Sequence, residues 1–75
     1  MEAVGRVIQK RVAIGSKSEH DAVVLRTGDH EYALRTKRGD PWWDPEMARL
    51  IGKKIKAIGT LYMGLLIVND WKEID

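Results

Sequence analysis

Apolar and charged residues alternate along the start of the chain, and the alternation slips once. Val4, Ile8, Val12 and Ile14 share one phase, whereas Val7 takes the other. A Val- and Ile-rich run with interspersed charge predicts a long strand over Ala3–Ile14. Adjacent Val7 and Ile8, with Gly5 nearby, predict a bend or bulge that redirects it. Gly15–Asp21 is polar throughout and predicts a loop. Ala22–Arg26 predicts a second strand, Thr27-Gly28-Asp29 a tight turn and His30–Lys37 a third strand, together a hairpin.

The period then changes. Met47, Leu50 and Ile51 stand at i, i+3 and i+4, one apolar stripe on a helix of about two turns over Pro45–Ile51. Asp44 is placed to accept from an unpaired backbone N–H at the helix start. Pro45 fits the first helical position, where its missing N–H costs nothing, and biases Asp44 toward extended geometry. Gly52 supplies the left-handed stop. Lys54–Tyr62 predicts a fourth strand with Ile55, Ala57, Gly59 and Leu61 on one side. Met63-Gly64 makes a turn, and Leu65–Trp71 a fifth strand whose unbroken apolar start, Leu65–Val68, implies contact on both faces.

The order β-β-β-α-β-β, all-β with one short helix in a single domain over residues 1–75, resembles the OB-fold. That fold is a five-stranded Greek-key barrel with a helix plugging one end between strands three and four. The resemblance covers nearly the whole chain and includes Gly59 in the fourth strand and the Leu50-Ile51-Gly52-Lys53 helix exit. The stretches GSKSEHDAVVL, YALR and DPE through LIGKKI also look like a group of small bacterial OB-fold proteins of uncharacterised function. That likeness carries over no active-site residue. An SH3-like barrel is the alternative, weakened by the position of the helix.

Composition narrows the picture. At 75 residues the core is thin, with about 60–65% of the unfolded surface buried. There is no cysteine, which removes disulfides, thiol chemistry and cysteine-type zinc sites. No segment has the length of a membrane span, and the first ten residues lack the apolar run of a secretion signal. A soluble, cytoplasmic protein, complete as given, is expected. Thirteen Lys+Arg against eleven Asp+Glu leave a net charge of +2, too little to mark a nucleic-acid binder by itself. The basic residues nevertheless gather in three groups, Arg6 to Lys17, Arg35 to Arg38 and Lys53 to Lys56, with acids between them.

OB-folds usually bind across strands two and three, between the loops joining strands one–two and four–five. The resemblance therefore implies a surface of Arg26, Arg35 and Lys37, with Lys17 and Tyr62 in the framing loops. Tyr32 or Tyr62 is the candidate ring for a stacked base. Tyr32 shares its phase with Leu34, which points it toward the interior. Weak, sequence-independent binding of single-stranded DNA or RNA is the function expected. The alternative is a protein-interaction or assembly module using an open strand edge, Trp42 or Met63. Its oligomeric state is open, with a monomer favoured.

Two other clusters are read as structural. Trp42 and Trp43 fall between Asp40-Pro41 and Asp44-Pro45. Trp43 precedes the helix cap, where a staple onto Ala48 is expected. Trp42 is less constrained, and both rings are expected near the helix-plugged end, away from the binding face. Ser18-Glu19-His20 is no catalytic set, because neighbours in an extended loop diverge. Ser18 or Asp21 is expected to cap backbone N–H groups there. His20 and His30, with Asp21 or Asp29, have no metal-ligand spacing. No catalytic residue, metal or cofactor is expected, and the chain does not read as an enzyme.

Overall fold

The computed structural model describes residues 1–40 and 42–74; Pro41 in the tryptophan-bearing stretch and Asp75 among the C-terminal acids lie outside the described residues. The elements are β1 (Glu2–Val12), β2 (His20–Arg26), β3 (Glu31–Thr36), α1 (Pro45–Ala48), β4 (Lys54–Tyr62) and β5 (Leu65–Glu73). The expected order holds. β4 has the bounds read from the sequence, and the other strands differ by one or two residues at their ends. No helix among the described residues is long and apolar enough to cross a membrane.

β1 serves two partners. Glu2–Arg6 pairs with β4 and Arg6–Val12 with β2, both antiparallel, so Arg6 is where the strand changes neighbours. Gly5 makes this crossing possible, since a Cβ there would lie 2.2 Å from the Arg26 carbonyl oxygen. The phase that faces inward is Ala3, Gly5 and Val7, all buried, while Val4 is exposed and Ile8 half-buried. Most of the apolar positions of β1 therefore look outward.

The pairings run β1-β2-β3-β5-β4 and return to β1, so the sheet closes on itself. Only the β3–β5 pair is parallel. Closure leaves no strand with a whole edge free, which corrects the expectation of an open edge for strand addition. At the β4–β5 hairpin, Met63 and Gly64 both have positive φ, 51° and 79°, as a type I′ turn demands. The register slips between Ile58 and Gly59, where β5 carries Asn69 as an extra residue.

Val7, Val23, Leu25, Leu34, Ile55, Leu66 and Val68 form the core with Met47 and Leu50 from the helix segment. The helix is shorter than the apolar stripe implies. After Ala48 the chain continues in tight turns, with Leu50 N–H bonded to the Met47 carbonyl and Ile51 N–H to that of Ala48. Gly52, at φ +92°, ends them as expected. The start also follows the sequence reading: Asp44 is extended and its carboxylate accepts from Glu46 and Met47 N–H. Trp43, just before the cap, is 36% exposed and is not among the residues packed against the core cluster.

Candidate nucleic-acid interface

Residues directly opposed across paired strands share one face of a sheet. Val7, Leu25 and Tyr32 are opposed in this way and lie on the core side. Tyr32 is half-buried against the core and stacks on His30 with ring centroids 5.8 Å apart. It faces the interior, as its phase implied, and offers no open ring to a ligand on the outer face.

One step along, Ile8, Val24, Ala33, Leu65 and Tyr62 are opposed in succession on β1, β2, β3, β5 and β4. This is an apolar row on the outer face, running across all five strands. Tyr62 ends it, 61% exposed. On one side of the row stand Arg6, Arg26 and Glu31, again mutually opposed. On the other side stand Lys10 opposite Ala22, and Arg35 opposite Ile67.

Glu31 binds two cations. It accepts from Arg26 Nε at 2.9 Å and pairs with the Lys10 ammonium. Lys10 is two residues beyond Ile8, and Glu31 two before Ala33, so the Lys10–Glu31 contact crosses the row diagonally above Val24. That bridge, with the neighbouring side chains, explains why Val24 is only 3% exposed although it points away from the core. Hydrogen bonds from Lys10 and then Arg26 hold the Glu31 carboxyl below its ordinary pKa.

The sequence-derived cations are thus partly gathered. Arg26 and Arg35 occupy the outer face of β2 and β3. Arg35 is half-buried, and its guanidinium donates to the carbonyls of Thr36 and Lys37, both at 3.2 Å, with no carboxylate partner among the described residues. Lys37 lies beyond the end of β3 and lines a shallow cleft with Thr36, Arg38, Asn69 and Trp71. Lys17 is exposed in the β1–β2 loop. Lys10 belongs to the site by position and was not singled out from the sequence; its phase shared with Ile8 is the signal that places it there.

The β1–β2 loop organises itself. Arg11 Nε donates to Glu19 at 2.8 Å, and the other Glu19 oxygen accepts from Gly15 N–H at 3.0 Å. Both bonds, with that from Arg11 the larger influence, lower the Glu19 pKa. Ser16 Oγ, and neither Ser18 nor Asp21, accepts the local backbone N–H, that of Ser18. The His20 ring nitrogen Nδ1 contacts the Ser18 carbonyl at 2.6 Å, and the Glu19 carboxylate is held by Arg11 and Gly15, so no hydrogen bond among the described residues joins Ser18 Oγ, Glu19 and the His20 ring.

The position of Trp42 differs from expectation. Its ring packs on His20 with centroids 4.2 Å apart and planes 33° from parallel, and it stays 50% exposed. His20 opens β2 opposite Val12, in the outward phase. Trp42 therefore stands beside the outer face of β2, and not only near the helix. The sequence signals the local turn, in which Asp40 Oδ1 accepts the Trp42 N–H at 2.8 Å. It holds no local signal for a contact 22 positions away. No family model, curated protein or solved structure matches this chain.

Proposed function

We propose that this chain is an OB-fold barrel that binds single-stranded nucleic acid, without strong sequence preference, across the outer face of β1, β2 and β3. The strand order, the parallel β3–β5 pair and the helix between β3 and β4 support the fold reading. The observation that carries the functional reading is the outer row Ile8–Val24–Ala33–Leu65–Tyr62, flanked by Lys10, Arg26 and Arg35 and framed by two exposed rings, Trp42 and Tyr62. Binders of single strands combine cations that follow the backbone with rings on which bases stack. In this reading Trp42 and Tyr62 are the stacking rings, Tyr62 at the far end of the row, and the inward-facing Tyr32 is not.

The test is a titration of labelled mixed-sequence DNA and RNA oligomers at several salt concentrations. Four or five phosphate contacts, from Lys10, Lys17, Arg26, Arg35 and Lys37, give a slope of log affinity against log salt of about −3. Loss of one stacked base in Trp42→Ala weakens binding roughly 5- to 150-fold. A flat salt response, or equal affinity for Trp42→Ala and the parent chain, rejects the reading.

A second reading, a protein-contact module, draws on one observation. Leu61, Tyr62 and Met63 at the β4–β5 tip are 46%, 61% and 88% exposed, an unusual apolar cluster for a turn. Binding governed by that tip would be insensitive to salt, so the same titration separates the two.

A further inference from the structure

We infer that Glu31 is a built-in substitute for a nucleic-acid phosphate: its carboxylate holds Lys10 and Arg26 above Val24 until a strand backbone takes both cations in its place. The inference rests on the nucleic-acid reading and adds a device that sets the affinity of that site.

The geometry carries it. One carboxylate satisfies two cations that come from different strands, β1 and β2, on either side of the same apolar row. A phosphodiester bears the same single negative charge and offers acceptor oxygens of the same kind, so it satisfies the same donors. All three side chains are within reach of water, with Lys10 45%, Arg26 57% and Glu31 31% exposed. Ion pairs in that setting are held weakly and exchange readily. Once Lys10 turns to a phosphate, its bridge to Glu31 no longer crosses Val24. The outer floor between Ile8 and Ala33 then opens to the face of a base. Intramolecular pairing keeps the two cations ordered in the free protein but sets every strand in competition with Glu31. The weak binding expected of this face follows from that competition.

The experiment compares Glu31→Gln with Glu73→Gln in titrations with a labelled mixed-sequence single-stranded DNA oligomer at low salt. Glu73 pairs with Lys53 at 2.6 Å and lies away from the row. Both variants remove one negative charge, so a general electrostatic gain appears equally in both. Glu31→Gln is expected to tighten binding roughly three- to tenfold more than Glu73→Gln. Carboxyl NMR of the parent chain gives a second readout that needs no variant. On adding the oligomer, the Glu31 pKa is expected to rise toward the ordinary carboxylate value as Lys10 and Arg26 leave it. Equal affinities for the two variants, or an unmoved Glu31 titration in a complex that does form, overturn the inference while leaving the binding reading intact. Absence of binding by the parent and by both variants overturns the binding reading itself.

Discussion

Asp44 is the one buried charged residue among those described, at 2% exposure. Burial alone raises a carboxyl pKa, but here hydrogen bonds outweigh it. Thr36 donates from its backbone at 2.7 Å and its hydroxyl at 2.8 Å, and Met47 and Glu46 donate their N–H groups. The folded pKa is consequently lowered. A lowered folded value means that the stabilisation is complete above the unfolded pKa of about 3.9 and is lost as pH falls through the folded one. Asp44→Asn keeps an oxygen for the helix N–H groups but turns an NH₂ toward the Thr36 donors. It is expected to lower unfolding free energy near neutral pH by about 1–3 kcal/mol. Denaturant titrations of both chains should show that difference shrinking below about pH 4. A difference independent of pH would show that the Asp44 charge does not hold the helix to β3. The Asp44-Pro45 cap was legible because capping is local, whereas the Thr36 contact eight positions back was not.

Among the elements, β1 shows what the alternation of residue types reports and what it omits. Gly5 is a local sign of the crossing, but no bulge stands at Val7-Ile8: the register against β4 and then β2 is continuous and the inward phase runs unbroken through Ala3, Gly5 and Val7. Which phase faces the core was not legible. Val4 and Ile8 look more apolar than Ala3 and Gly5, yet the tight approach to β2 and β4 selects the smaller residues for the inside. Gly5→Ala puts a methyl 2.2 Å from the Arg26 carbonyl oxygen, a backbone atom with no flexible end to move aside. The expected loss is about 1–3 kcal/mol of stability, read by thermal or denaturant unfolding. An unchanged midpoint would mean that β1 does not change partners at this residue. The helix was overestimated for a related reason. Met47, Leu50 and Ile51 keep helical spacing, but tight i to i+3 turns deliver Leu50 to the core as well as a second α-turn would.

For the whole molecule, the element order follows from strand patterning, turn chemistry and one well-capped helix, all readable along the chain, whereas the β1–β4 and β3–β5 pairs that close the sheet join distant positions. The candidate site was only half readable. Arg26 and Arg35 stand on the outer face and Tyr62, expected in a framing loop, ends the row on β4, but the contacts that give the face its character join distant positions. Lys10 meets Glu31, and His20 meets Trp42, only after β1, β2 and β3 align. The same alignment sets the paired glutamates on particular partners: Glu19 on Arg11, Glu2 on Lys56 and Glu73 on Lys53 away from the row, and Glu31 on both Lys10 and Arg26 beside it. Most directly decisive is a two-dimensional amide and indole NMR titration of the intact chain with a mixed-sequence single-stranded DNA oligomer at low salt. The account predicts shifts concentrated at Ile8–Lys10, Ala22–Arg26 and Glu31–Arg35, with the Trp42 indole N–H among the largest. Shifts confined to the Met63 tip or to Lys53–Lys56, or none at saturating oligomer, would contradict it.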